Sequence, residues 1–329
     1  MLVRHGVPWL CTLGLVADAG ERSLSRSWRP ERPLDLRRTL SVLRHGSGDP
    51  AYRVDATGAV WRASRTPEGP ATLRLSAAPT LGEVRGAAWG PGASWILDSM
   101  PGMLGADDDA SSFRPAHPLL CEALRRFEGW RVTRTGLVME SLVPAVLEQK
   151  VTGKEATRSW RELLWRFGTP APGPGVENGQ PRGMYVTPSP KEWALIPSWS
   201  WHKAGVDGAR VHTIIRAAEV AGRLEETTTL DSCAGTTRLR TVSGIGPWTA
   251  AEVRQRAHGD ADAISVGDYH LPTVIGWSLI GKPVDDDGML ELLEPYAGQR
   301  HRAATLIVLA GGTPPRRGPR YAGRDYRAV

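Results

Sequence analysis

One aspartate, Asp268, lies where a carboxylate could do chemistry on a bound substrate. It belongs to the run Val266-Gly267-Asp268-Tyr269-His270, which precedes an apolar stretch that is typical of a helix. One interpretation is a helix cap, since aspartate side chains accept hydrogen bonds from first-turn amides. A carboxylate fixed in this way can also stabilise positive charge that develops in a transition state. Asp268 is therefore the candidate catalytic residue.

A glycine hairpin precedes Asp268 in the segment LRTVSGIGPWTAAEVRQRAHGDADAISVGDYHLPTVIGW, residues 239–277. The pattern predicts a helix–hairpin–helix at 236–258, in which Ile245 fills the gap between the helices and Pro247 begins the second helix. Glycines on both sides of Ile245 permit positive φ angles and the close approach of another backbone. The amides after the hairpin, at a positive helix end, suit one phosphate of a nucleic acid. An ordinary helical hairpin remains the alternative.

Hairpin, spacer and aspartate together resemble the helix–hairpin–helix DNA glycosylase superfamily. A strand meander followed by a helical domain is similar to 3-methyladenine DNA glycosylase II, the AlkA type. The similarity runs from Leu34 to Gly312 and is strongest over 239–270. It implies hydrolysis of the N-glycosidic bond of alkylated bases, of the 3-methyladenine and 7-methylguanine type, in double-stranded DNA, which begins base excision repair. It also implies that Asp268 is the catalytic carboxylate.

The resemblance assigns two further groups of residues. The first lines the base pocket and comprises Trp248, Gln149 and Glu252. The second contacts the DNA backbone and comprises Gly244, Ile245, Gly246, Thr249 and Lys150.

Three departures from the family pattern put the substrate range in doubt. Glu252 stands where the family has a pocket tyrosine, and Lys150 stands where it has an intercalating leucine. A further family tryptophan is absent from Thr305–Leu309. The sequence leaves open whether Glu252 is a solvated helix residue or a polar group of an altered pocket.

The position of Trp248 also bears on the reaction type. Glycosylases with lyase activity use a lysine at this place of the hairpin helix to form a Schiff base. Here the residue is Trp248, and no lysine occurs between Lys203 and Lys282. The resemblance thus predicts a monofunctional enzyme with water as nucleophile. It implies no cofactor beyond a monovalent cation at the hairpin carbonyls, and no metal held by side chains.

Composition narrows the protein class. Length is 329 residues, with 41% apolar and 23% charged residues, which indicates a globular chain of about two domains. Its three cysteines cannot supply a four-cysteine iron–sulfur site. No apolar run approaches the length of a membrane span. A net charge of +6 is compatible with a polyanionic partner such as DNA.

Hydrophobic periodicity divides the chain into a strand-rich front and a helical back. Three alternating runs between residues 51 and 76 predict an antiparallel meander, and Leu81–Gly105 is expected to form a helix and a connector. The fold class is therefore α+β, with a small antiparallel domain packed on an all-helical core. The predicted divisions are a disordered leader at 1–23, the front domain at 24–112, the core at 113–312 and an arginine-rich basic tail at 313–329.

Two other functions stay open on the sequence. The same fold could act on a deaminated or oxidised purine, or the chain could be a non-catalytic helix–hairpin–helix DNA-binding protein. We expect a monomer with damaged double-stranded DNA as its partner and no membrane association. The expected location is the bacterial cytoplasm, at the nucleoid. A secretory signal at residues 1–20 is the weaker alternative to the leader.

Overall fold

The computed structural model describes residues 23–174 and 183–311, and it begins with a five-stranded antiparallel sheet. The spatial order of the strands is β1-β5-β4-β3-β2. Helices follow, so the predicted α+β class is confirmed. The strands of this sheet are β1 Leu24–Trp28, β2 Tyr52–Val54, β3 Val60–Thr66, β4 Gly69–Ala78 and β5 Glu83–Trp89. A separate pair joins β6 Thr169–Pro170 to β7 Tyr185–Val186.

The central strands β3 and β4 form because their apolar residues alternate and a short turn joins them. Val60 lies opposite Leu75, and both side chains are buried. Leu73 lies opposite Ala88 of β5. This apolar face is covered by helices α1 (Leu36–Leu40) and α2 (Ala93–Met103), which fill one hydrophobic core with it. The meander predicted for residues 51–76 is therefore confirmed.

The prediction for Leu81–Gly105 was wrong in its first part, because β5 occupies 83–89 before α2 begins. Between Val84 and Trp89, the residues of β5 are small or polar and lack the large alternating apolar side chains that signal a strand. Packing explains why a glycine occupies position 86, because a Cβ there would lie 2.7 Å from Met100 Sδ of α2. A glycine here lets α2 lie flat on the sheet. The edge strand β1 was not predicted either, since it alternates serine and arginine.

The helices form two further cores, one on each side of the hairpin. Helices α4 to α8 share a core with α10 and α11, and α3 shares another with α12 to α14. The helices are α1 Leu36–Leu40, α2 Ala93–Met103, α3 Pro118–Arg126, α4 Val138–Leu147, α5 Gly153–Phe167, α6 Pro190–Leu195, α7 Ser198–Lys203, α8 Gly208–Glu219, α9 Ala221–Glu225, α10 Ser232–Arg240, α11 Pro247–Val253, α12 Leu271–Ile280, α13 Asp286–Leu293 and α14 Arg300–Ala310.

Two aspartates anchor the irregular segment that joins α11 to α12 and carries Asp268. Asp260 pairs with Arg254 and accepts a hydrogen bond from Ser232 at 2.7 Å. Asp262 pairs with Arg300 at the start of α14. Burial alone would raise the pKa of the Asp260 carboxyl, but the Arg254 guanidinium and these hydrogen bonds hold it below its usual value. The segment is thus tied to both helical cores.

The expected leader, apart from Ser23, and the expected tail lie outside the described residues. The domain limits at 112 and 312 stay predictions. Within residues 23–174 and 183–311, no helix combines the length and apolar character needed to cross a bilayer.

Candidate active site

The hairpin lies between the end of α10 and the start of α11, as predicted. Gly244 has φ +99°, and a Cβ there would lie 1.9 Å from Thr213 Oγ1 of α8, so only glycine fits. Ile245 is buried and joins the core between the helices. Gly246 has an ordinary φ of −88° and no atom within 4 Å of a Cβ position, so its backbone faces open space. The hairpin therefore presents backbone rather than side chains.

The residues expected to bind the DNA backbone differ in their exposure, because some have buried side chains and Gly246 is open to solvent. The Ile245 and Thr249 side chains are buried, and the Ile245 amide donates to the Val242 carbonyl at 3.0 Å. A phosphate contact at these two residues could therefore come only from the backbone and not from the side chains, and their assignment stays a prediction. Gly246 stays available, because it lies where the first amides of α11 have no partner within the helix.

Gln149 braces the hairpin, whereas the resemblance assigned it to the base pocket. Its Nε2 donates to the Gly244 carbonyl at 3.0 Å and to Thr249 Oγ1 at 2.8 Å. Both amide hydrogens are thus used on the hairpin, while Oε1 takes no part in these bonds, and the assignment of Gln149 to the base pocket stays a prediction. The cause of these bonds is tertiary: the end of α4 lies beside α11, nearly a hundred residues later in the chain.

Lys150 follows Gln149 and is exposed. Among the described residues it is the only non-glycine with positive φ, at 55°. Such a conformation costs about 1 kcal/mol or more and persists where the surrounding structure demands it. The turn after α4 thus exposes the Lys150 side chain to solvent, next in sequence to the Gln149 that supports the hairpin.

Asp268 is held by three donors at the start of α12. Its Oδ1 accepts from the backbone amides of His270 and Leu271, each at 2.8 Å. Its Oδ2 accepts from Trp248 Nε1 at 3.0 Å. The side chain is half-buried, so part of the carboxylate still faces solvent. This arrangement combines the capping interpretation with a fixed, accessible carboxylate, and it brings Asp268 and Trp248 together as expected.

Glu252 lies one helical turn after Trp248, and its carboxylate is mostly buried and bonded on both oxygens. Its Oε1 accepts from Ser265 Oγ at 2.5 Å, and its Oε2 pairs with Arg256 Nη1 at 2.7 Å. Arg256 Nε in turn donates to the Val42 carbonyl in the front part of the chain, at 3.2 Å. Trp248, Glu252 and Arg256 therefore form a stripe along one face of α11 and the π-helical turn that follows it.

Sequence reasoning missed several residues beside Asp268. Tyr269 is 89% exposed, and its ring meets that of His270 edge-on at 4.8 Å. Ser265 and Arg256, which complete the Glu252 network, were also missed. The only available signal was their position next to the motif, since neither pairing follows from a local pattern.

In the described part of the chain, no three His, Cys, Asp or Glu side chains come close enough together to hold a metal ion.

The chain is similar to known proteins in part of its sequence and in its fold. No family model matches the chain. The probable bifunctional transcriptional activator/DNA repair enzyme AlkA of Mycobacterium tuberculosis is 32% identical over 160 residues. That match covers 47% of this chain and 30% of the relative, so the chain spans less than a third of that protein's length.

Solved structures match over nearly the whole chain. The 3-methyladenine DNA glycosylase of Archaeoglobus fulgidus has a TM-score of 0.72 at 16% identity, covering 87% of this chain and 98% of its own. The 8-oxoguanine glycosylase/lyase of Clostridium acetobutylicum has a TM-score of 0.64 at 12% identity, covering 91% and 99%. The predicted resemblance is confirmed: the chain has the fold of the helix–hairpin–helix DNA glycosylases and, over about half its length, a sequence similar to that of an AlkA repair enzyme.

Proposed function

We propose that the chain is a DNA glycosylase that hydrolyses the N-glycosidic bond of alkylated bases in double-stranded DNA and so begins base excision repair. The observation that carries the proposal is the Asp268 carboxylate, held by the backbone amides of His270 and Leu271 and by the Trp248 indole. The fold and the similarity to AlkA support it.

The chemistry follows from where charge develops. A base inside a duplex is out of reach, so the nucleotide must turn out of the helix into a pocket. Departure of the base leaves positive charge on the sugar, and a carboxylate placed beside the sugar stabilises it. Asp268 cannot swing away, because three donors hold it. Its solvent-facing part is available to the sugar and to an attacking water.

Contact with DNA would come from backbone amides and positive charge. Gly246 and the start of α11 offer amides to one phosphate, while the exposed Lys150 offers an ammonium group beside them. We also propose that hairpin carbonyls hold a monovalent cation and that the protein acts as a monomer at the nucleoid. The Gly244 carbonyl already accepts one hydrogen bond from Gln149.

A monofunctional reaction is supported by the residue at the nucleophile position. Trp248 cannot form a Schiff base, and its indole is bonded to Asp268. Water is then the group that attacks the sugar.

A second candidate function keeps the reaction and changes the lesion. The observation in its favour is the Glu252–Arg256–Ser265 network, which places polar groups on the face of α11 that carries Trp248. A polar face can read the edge of a neutral base by hydrogen bonds, as deaminated or oxidised purines would require.

Replacing Asp268 by asparagine tests the catalytic assignment. Asp268→Asn should lower single-turnover base release by about a hundredfold or more, since roughly 3 kcal/mol of charge stabilisation is lost. DNA affinity should stay within a few fold, because phosphate contacts dominate it. Asp287→Asn, an exposed carboxylate on α13, is the matched control and should keep full activity. Wild-type rates in Asp268→Asn would contradict the assignment and favour a non-catalytic DNA-binding protein.

Gly246→Val tests the phosphate-facing turn. The variant should fold normally, since nothing lies near the added Cβ, yet weaken binding to damaged and undamaged duplexes alike by about tenfold. Fluorescence anisotropy with both duplexes measures this. Gly222→Val, equally open but on α9, is the control and should bind as wild type. An effect on only one lesion would instead place the hairpin in the base pocket.

The product distinguishes hydrolysis from lyase chemistry. Base release should leave an intact abasic strand that needs hot alkali for cleavage, and borohydride should trap no protein–DNA adduct. A glycosylase/lyase of known activity serves as the positive control. A trapped adduct in the wild type would overturn the monofunctional proposal and point to Lys150 or Lys203.

Lesion preference separates the two candidate functions. The half-buried Trp248 ring should attract positively charged purines, so 3-methyladenine and 7-methylguanine should be released faster than hypoxanthine. Single-turnover rates on methylated and inosine-containing duplexes, for wild type and Glu252→Gln, provide the comparison. If the wild type releases hypoxanthine faster than the methylated purines, and Glu252→Gln loses this preference, the altered-lesion function is favoured. The substitution tests Glu252 because it removes the ion pair with Arg256.

A further inference from the structure

A second concave site lies away from Asp268, where the end of β1, helix α2 and the 131–136 segment meet. Its volume is about 530 Å³, within the range of small-molecule sites. Thr135 N and Gly136 N donate to the carbonyls of Arg256 and Ala257, so its wall is attached to the far end of the hairpin helix. Trp248, which holds Asp268, lies at the near end, about 12 Å along the helix. The two sites are therefore separate.

Guanidinium groups on one side of this cavity lack carboxylate partners. Arg32 Nη2 donates to the Asp108 carbonyl at 2.6 Å, and Arg131 Nη2 donates to the Pro33 carbonyl at 2.5 Å. Among the described residues, neither arginine has a carboxylate within ion-pair distance. Burial, and next the charge of Arg32, lower the pKa of Arg131 below its usual value. Asp108 and Glu128 act on Arg131, and Asp109 acts on Arg32, only at longer range, so these two cations have no directly bonded counter-charge at the cavity.

The acidic residues of the lining do not supply that counter-charge. Asp98 pairs with Arg26 at 2.5 Å, and Asp107 pairs with Arg134 at 3.1 Å. Glu31 is exposed at the rim. Each of these guanidinium groups keeps N–H hydrogens beyond those it donates to backbone carbonyls, and such hydrogens can be donated to the oxygens of a phosphate.

Flat aromatic surface also lines this cavity. Trp28 and Trp95 line it, and both side chains are only half-buried. The Trp95 ring lies over Gly136, whose absent Cβ would be 3.8 Å from Cη2, and this glycine has φ +68°. A half-exposed indole over a glycine offers a face on which a planar ring can stack.

We infer that this cavity binds a nucleotide, with its phosphate between Arg32 and Arg131 and its base against Trp95. The chemistry is shared by a free nucleoside monophosphate and by the 5′-phosphorylated end of a DNA strand. The site goes beyond the proposed glycosylase reaction and does not depend on it, because none of the residues that carry it contacts Asp268 or the hairpin.

Isothermal titration of the full chain tests the inference with five probes. They are deoxyadenosine monophosphate, deoxyadenosine, inorganic phosphate, and a short single strand with and without a 5′-phosphate. The monophosphate should bind saturably and at least tenfold more tightly than either deoxyadenosine or phosphate. A 5′-phosphorylated strand that binds more tightly still, with its unphosphorylated form weaker, would identify a strand end as the source.

Two variants locate the site. Arg32→Gln should weaken monophosphate binding at least tenfold, and Trp95→Leu should weaken it severalfold. Arg238→Gln changes a partly exposed arginine on α10 that pairs with Glu226; it is the matched control and should bind as wild type. Thermal unfolding checks that each variant folds. Base release by Arg32→Gln should stay at the wild-type rate, which keeps this test independent of the glycosylase proposal.

Three results would overturn the inference. They are the absence of saturable binding at roughly millimolar monophosphate, equal binding by Arg32→Gln, and phosphate binding as tightly as the monophosphate does. The last would show an anion site without recognition of a base.

Discussion

The hydrogen bonds that hold the Asp268 carboxylate are the interaction on which the site depends. Two come from amides at the start of α12 and one comes from the indole of Trp248 on α11. Because α11 belongs to one helical core and α12 to another, this carboxylate is positioned by both. Asp260 and Asp262 add ion pairs that tie the intervening segment to α11 and α14. The catalytic group we propose is thus located by the packing of the two cores, with no part left to a free loop.

Two faces of helix α11 make different contacts. One face turns Thr249 inward to Gln149, so that the hairpin is braced from α4 and Gly246 is left open to solution. Another face carries Trp248 and Glu252 toward the segment before α12. A phosphate contact at the hairpin and a base contact on the second face would then be held by one rigid element, which fixes their separation. Rigid placement of this kind is what the transfer of a nucleotide from duplex to pocket requires.

Glu252 departs from the family pattern, and hydrogen bonds and an ion pair accommodate its carboxylate. An aromatic residue at this place would add stacking surface, whereas the carboxylate here is bonded to Ser265 and paired with Arg256. The network continues through Arg256 to the Val42 carbonyl, and so connects the hairpin helix to the front of the chain. A half-buried charge in this setting is tolerated because it is both paired and hydrogen-bonded. Glu252 therefore serves as part of a polar network that joins α11 to the segment before α12.

Local physical chemistry explains which features could be predicted from the sequence. The hairpin glycine Gly244, the helix start at Pro247 and the capping contacts of Asp268 each depend on a few adjacent residues, so their patterns are visible in one dimension. The central strands were predicted for the same reason, since their apolar residues alternate. Strand β5 was missed because its small residues, Gly86 above all, are required by packing against α2 and give no alternating pattern. The partners of Gln149 and Glu252, and the burial of Thr249, were decided only by the tertiary structure. Those contacts join segments that are far apart in the chain, and the energy of a hydrogen bond between them does not appear in any local pattern.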